Sequence, residues 1–159
     1  MKSTLMLART AIVTAARSQL GVKYEKDAEV PNVAMHCTGL LSYALQTGIG
    51  MEIPCSVGQG PIAGFTDARI LDFIKEMGCE EIDLSLALPG DIVTWNYGPA
   101  AHHTGMISEI KNGAPWVIHS SAAYNKVAEH PLGTGQWRRR LNSVWSIESP
   151  LKEFLERES

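Results

Sequence analysis

The sequence has too little of several things to belong to some large classes of protein. It holds three cysteines in 159 residues, an odd number, and no two of them form Cys-x-x-Cys. This argues against a disulfide framework and against a structural zinc site. His-Glu-x-x-His is also missing, and with it the helical zinc-protease pattern. Charge is sparse and nearly balanced, 14 Lys and Arg against 17 Asp and Glu, for a formal net charge of −3. Nothing in that balance draws the whole molecule to nucleic acid or to an anionic membrane. The one basic cluster, Arg138-Arg139-Arg140 between Trp137 and Leu141, reads as a solvated strand edge. No apolar run approaches the roughly 20 residues of a membrane span. Arg9 and Arg17 interrupt the apolar text near the N-terminus, and no small-residue cleavage site follows. A secretory signal is therefore not legible, and the expectation is a chain made soluble in the cytoplasm.

What is present describes an ordinary globular protein, with 45% hydrophobic and 19% charged residues. A length of 159 suits one domain over residues 1–159, with no internal repeat, low-complexity stretch or linker. Leu5, Ala8, Ile12, Ala15 or Ala16 and Leu20 recur at helical spacing, with Arg9 and Arg17 off that stripe. They predict a first amphipathic helix ending at Gly21. Residues 22–35 are polar, contain Pro31-Asn32, and read as a loop. Leu40, Leu41, Ala44 and Leu45 predict a second helix from near Cys37 to Gly48. The glycine- and proline-rich stretch 49–65 suits no regular element. Thr66 or Asp67 can cap a third helix bearing Ile70, Phe73, Ile74 and Met77 and closed by Gly78. Beyond it come β-type runs at 91–95, 104–110, 116–119 and 143–147, separated by turn signals such as Asn112-Gly113. Ser149-Pro150 opens a last helix. Helices first and an antiparallel sheet afterwards make the class α+β.

Three separated segments carry chemistry. His36-Cys37-Thr38-Gly39 places a thiol in the first turn of an apolar helix. Unpaired N–H groups there favour thiolate over thiol and can donate to an oxyanion. Cysteine is also among the most buried residue types, so Cys37 as an inert core residue stays open at this point. His103 opens a strand beside Thr104-Gly105, and His119 ends the next strand 16 residues later (119 − 103). A turn at Asn112-Gly113 would bring the two rings together, as a base and its orienting partner require. Cys37, His103 and His119 with a water could also hold a catalytic zinc, but the missing zinc patterns and the thiol's position at a helix start speak against it. His130 before Pro131 reads as a loop residue, and Cys55 and Cys79 as structural. Of the four tryptophans, Trp137 is the best candidate for exposure.

Cys-Thr-Gly-Leu-Leu at 37–41, Pro-Gly-Asp-Ile-Val at 89–93, His-Thr-Gly-Met at 103–106 and Ile-His-Ser at 118–120 occur in the order found in the NlpC family. The chain resembles those papain-like cysteine peptidases from about residue 11 to residue 148. The resemblance implies a papain-like fold with the cysteine helix packed on an antiparallel sheet that bears both histidines. It further implies Cys37 as nucleophile, His103 as base and His119 as the polar residue orienting it. Tyr24 resembles a tyrosine lining the family's substrate pocket, and the resemblance implies that His36 and Thr38 shape the same cleft. His102 reads as a solvated loop residue that could flank it. This chain departs from the pattern with His36 where the family usually has an acid, Thr38 where it has serine, and Glu25-Lys26-Asp27 after the tyrosine. Those departures concern the substrate side of the cleft.

The implied reaction is thiolate attack on an amide of a peptidoglycan peptide, through a thioester, with no metal or organic cofactor. Without a legible signal, action in the periplasm or wall would need specialised delivery. A type VI secretion amidase effector and a phage-type enzyme both fit, and a secreted toxin would require an immunity protein as partner. The rival readings are a cytoplasmic amide or thioester hydrolase, an acyltransferase, or a module that has kept the shape and lost catalysis.

Overall fold

Helix α1 spans Lys2–Arg17, and its buried positions, among them Leu5, Ala8, Ile12 and Ala16, are those of the apolar stripe. The structure, a computed structural model, describes residues 2–52, 70–96 and 101–159, and only the backbone of 101 and 102. Cys55, the cap expected at Thr66 or Asp67, and residues 53–65 of the glycine-rich stretch lie outside the described residues. The helix stops at Arg17, and Gly21, at φ +84°, ends the turns that follow. Arg9 lies off the expected stripe yet is 1% exposed, because Asp91 meets its charge inside the protein.

Residues 22–35 are not a loop throughout. They hold three two-residue strands, β1 (Lys23–Tyr24), β2 (Glu29–Val30) and β3 (Ala34–Met35). Helix α2 then runs Cys37–Ile49, one residue past the expected end. Its C-cap is Gly50 at φ +79°, whose N–H returns to Gln46 O. Gly48 serves a different purpose, since a Cβ there would stand 2.9 Å from Ala11 O and Ile12 Cα. The missing side chain lets α1 and α2 cross in close contact.

Helix α3 covers Ile70–Glu76 and is followed by β4 (Glu80–Ile82) and a 3₁₀ turn at Leu84–Leu86. The remaining elements are β5 (Ile92–Asn96), β6 (Ala101–Lys111), β7 (Ala114–Ser121), β8 (Lys126–Pro131), α4 (Gln136–Arg139), β9 (Leu141–Ser146) and α5 (Glu148–Glu158). Helix α5 begins one residue before Ser149, with Ile147 as N-cap, so Ser149-Pro150 lies within its first turn. The nine strands among the described residues form one sheet, ordered β2-β3-β1-β8-β7-β6-β5-β9-β4. Its pairings are antiparallel except β1 with β3, and the fold is α+β.

Alternation along the strands gives the sheet two apolar faces. Ile92, Met106, Ile118, Val127 and Trp145 meet Ile12, Leu41, Leu45, Ile74 and Leu151 of the helices. Val93, Trp95, Ile107, Val117 and Val144 point the other way, toward Leu132 and Trp137. The Asp91 carboxylate joins the layers. Oδ1 accepts from Arg9 Nη1 at 2.8 Å and from Ile147 N at 3.1 Å, and Oδ2 accepts from Leu88 N at 2.8 Å. In Pro-Gly-Asp, then, the aspartate is a framework residue.

Gly48→Ala sets two effects against each other. Alanine is the better helix former by about 1 kcal/mol, but its Cβ would meet backbone atoms of α1, which cannot rotate away. Overpacking of this kind costs about 1–3 kcal/mol, so the clash should win. Urea unfolding is expected to show Gly48→Ala less stable than the parent; equal or greater stability would show that the helices can separate freely.

Candidate active site

Cys37 is the first residue of α2 and is 2% exposed. His36 caps the helix in an extended conformation, and its side chain makes no hydrogen bond to the first-turn amides. Its ring faces the other residues expected here. Nδ1 is 3.3 Å from Thr38 Oγ1, Nε2 is 3.9 Å from Cys37 Sγ, and the ring centroid is 5.7 Å from that of Tyr24. The chain thus brings Tyr24, His36, Cys37 and Thr38 together. Ser120 Oγ donates to Met35 O at 2.6 Å. That bond fastens the residue two before Cys37 to the strand position next to His119.

Antiparallel register assembles the histidines. The β6–β7 turn has Asn112 at φ +51° and Gly113 at φ +77°, the backbone of a tight hairpin. Met106 lies opposite Ile118, so His103 and His119 are diagonal neighbours on one face. His103 Nε2 is 2.7 Å from His119 Nδ1. Gly105 makes this approach feasible, because a Cβ there would stand 2.7 Å from His119 Cβ and 3.0 Å from Trp95 Cζ3. Trp95, paired with His103 across β5 and β6, stacks on its ring at 5.1 Å and 24°. The side chain of His102 lies outside the described residues.

One member of the cluster was not legible as such. His130 belongs to β8 and not to a loop, opposite Val117. Its Nε2 stands 2.8 Å from His119 Nε2, and its Nδ1 2.7 Å from Pro131 O. Ala128, Glu129 and Pro131 are poor strand formers, which hid β8, and pairing with β7 overrides them. Asn125, at φ +60°, marks the turn into β8 and was the available signal. Trp137 is 6% exposed, contrary to expectation, because α4 folds it under the histidines. Its ring lies 4.7 Å from that of His119, and its Nε1 donates to Tyr124 Oη at 3.1 Å. Arg138 and Arg139 belong to this short helix and Arg140 is its C-cap; the cluster is exposed, but it is not a strand edge.

His119 has no exposed surface and is ringed by Trp95, Trp137 and Tyr124. Burial, reinforced by the neighbouring His103 and His130, pushes its pKa down to about 2. The ring is neutral at working pH and can accept from His103. Cys79 contrasts with any activated thiol, since burial and then the nearby Asp91 charge push it up to about 12. It is an inert core residue.

A thiol at the start of one helix and two histidines in contact on adjacent strands are the parts a papain-like site needs. A sequence model of the NlpC/P60 family matches residues 21–146. The chain belongs to the NlpC/P60 family. Members of this family are typically cysteine peptidases that hydrolyse peptidoglycan. No curated protein sequence matches the chain significantly. Among solved structures it is similar to the NlpC/P60 domain of the peptidoglycan hydrolase SagA, with 20% identity, a TM-score of 0.60, and 87% of this chain and 97% of that one covered. The P60 domain of an antigen from M. avium subspecies paratuberculosis matches at 19% identity and a TM-score of 0.62, covering 90% and 96%. NlpC1 from Trichomonas vaginalis matches at 19% and 0.61, covering 87% of this chain and 44% of that longer one. At these identities the likeness establishes the fold: an NlpC/P60 domain with helices packed on a mainly antiparallel sheet.

The neutrality of His119 has a consequence for stability. An unfolded histidine titrates near 6.5, whereas the folded ring does so at about 2. Between those values the unfolded state binds the extra proton, so stability should be intact above about pH 6.5 and fall as pH drops below it. One such group contributes a slope of up to ~1.4 kcal/mol per pH unit. Denaturant unfolding from pH 7.5 to 4.5 should show a shallower acid loss in His119→Gln than in the parent. Identical slopes would mean that His119 takes up a proton in the folded protein.

Proposed function

We propose that this protein is a cysteine hydrolase of amide bonds in cell-wall peptides, with Cys37 as nucleophile, His103 as general base and acid, and His119 orienting His103. The observation that carries the reading is the 2.7 Å contact between His103 Nε2 and His119 Nδ1, on a strand pair fastened beside the start of the Cys37 helix. A neutral His119 accepting from Nε2 leaves Nδ1 as the nitrogen through which His103 acts on the thiol. In the 159-residue chain these groups belong to one hydrolase domain, and the site of action is the wall.

Catalysis follows from this arrangement. The Cys37 thiol gives its proton to His103, and the thiolate adds to the amide carbonyl. First-turn amides of α2, which the His36 side chain does not cap, donate to the tetrahedral oxyanion. His103 then protonates the leaving amine, giving a thioester on Cys37. The same ring next takes a proton from water, hydroxide adds to the thioester, and Cys37 departs as thiolate and recovers the enzyme. Tyr24, His36 and Thr38, grouped around Cys37, line the substrate side. His36 replaces the family's usual acid there and offers no carboxylate to a substrate ammonium.

Digestion of purified peptidoglycan fragments, read by mass spectrometry, tests this reading. The parent should release peptide fragments, and Cys37→Ala should lower the rate by on the order of 10³-fold or more. The fragment masses would name the bond. No release by the parent, with Cys37 still rapidly alkylated at neutral pH, would reject the wall as substrate and keep the nucleophile.

A further inference from the structure

We infer that His130 is a positioning residue which, through His119, sets the ring nitrogen at which His103 carries its proton. The inference rests on the catalytic reading of His103, but its structural part stands on contacts that hold whatever the substrate is. The three histidines come from three adjacent strands and form one continuous line. His103 Nε2 lies 2.7 Å from His119 Nδ1, His119 Nε2 lies 2.8 Å from His130 Nε2, and His130 Nδ1 lies 2.7 Å from Pro131 O.

A carbonyl oxygen only accepts, so the direction of every hydrogen bond in the line follows from its last member. Pro131 O requires the proton of His130 on Nδ1. In a neutral ring, His130 Nε2 is then an acceptor, and the facing nitrogen, His119 Nε2, must donate. His119 is neutral and holds one ring proton, so its Nδ1 is bare and accepts from His103 Nε2. The line therefore delivers His103 with its proton on Nε2 and its basic lone pair on Nδ1. Reversing any one bond would oppose two donors or two lone pairs somewhere along it.

Without His130, nothing in the line would choose between the two tautomers of His119. A tautomer with the proton on Nδ1 would donate to His103 Nε2 and push the basic site to the wrong edge of the ring. Among the described residues, the groups that face His130 are His119 from β7, Tyr124 from the turn before β8 with ring centroids 5.3 Å apart, and Trp137 from α4 at 5.7 Å. None of them carries a fixed charge that could set the tautomer in place of the Pro131 carbonyl.

The test is nitrogen-15 labelling of histidine in the full chain, with long-range proton–nitrogen correlation spectra that separate protonated from bare ring nitrogens. At neutral pH the parent should show His119 protonated on Nε2 alone and His130 on Nδ1 alone. His130→Gln, whose amide oxygen can still accept from His119, should keep the single His119 tautomer. His130→Leu, which cannot accept, should show a second one. On cell-wall peptide fragments His130→Leu should lose about tenfold to a hundredfold in kcat, less than the 10²–10⁴ that a general base supplies. Its KM should stay within about twofold and His130→Gln should recover most of the rate. A parent His119 protonated on Nδ1, or an unchanged single tautomer in His130→Leu, would overturn the inference. The parent spectrum decides even if His130→Leu does not fold. If no wall fragment is cleaved at all, the spectra still distinguish the tautomers, so the two readings fail separately.

Discussion

The register of β5 through β8 is the constraint on which everything else in this protein rests. Side chains on a strand alternate between faces, so a slip of one residue would turn His103, His119 or His130 toward the helices. The hairpin turn at Asn112-Gly113 fixes β6 against β7, and the pairing of Val117 with His130 fixes β7 against β8. Gly105 leaves the room that His119 occupies. A shift in register between Trp95 and Asn96 lies beside His103, and such irregularities re-aim side chains next to functional sites. Register places the three side chains on one face, and their ring contacts complete the line.

Around that line the protein builds a dry aromatic wall and then braces it. Trp95, Trp137 and Tyr124 take His119 out of water, and exclusion from water keeps it uncharged. A neutral ring here differs in kind from a carboxylate partner, since it can orient His103 without holding a permanent negative charge beside it. Trp95 Nε1 donates to Trp137 O at 2.9 Å, so the polar edges of the wall are satisfied within it. On the helical side the buried Arg9–Asp91 pair, 2% and 1% exposed at the side chains, ties α1 to the start of β5. Breaking such a pair by removing one partner costs about 3–5 kcal/mol. The thiol's helix is therefore set against a sheet that is itself held at both faces.

Much of this was legible from residues alone, and the illegible parts share a cause. The helical spacing around Leu40, Leu41 and Leu45, the strand runs at 91–95 and 104–110, and the Asn112-Gly113 turn are local signals, and local signals survive in a sequence. The family resemblance rested on four such pieces in order, and the family is the one the match over residues 21–146 identifies. His130 and Trp137 are hidden in the sequence because their places depend on pairing and burial that involve residues far along the chain. A histidine before a proline looks like a loop until β7 supplies its ladder partner. A tryptophan beside three arginines looks exposed until one helical turn folds it under. Gly48 looks like a helix end in the sequence, and only the neighbouring helix reveals it as a contact point.

The central claim is that Cys37 and His103 work as a pair, and the pH profile of thiol alkylation tests it most directly. The rate at which iodoacetamide modifies Cys37 would be followed from pH 5 to pH 10 in the parent and in His103→Ala. A thiolate held beside an imidazolium forms at lower pH than a lone thiol, so the parent profile should rise well below the ordinary cysteine range near 8.5. Removing His103 should move its midpoint up by about one pH unit or more, since an opposite charge nearby is worth about 1–3 units. Coincident profiles in the two proteins would mean that His103 does not act on Cys37, and the account of the site would be wrong.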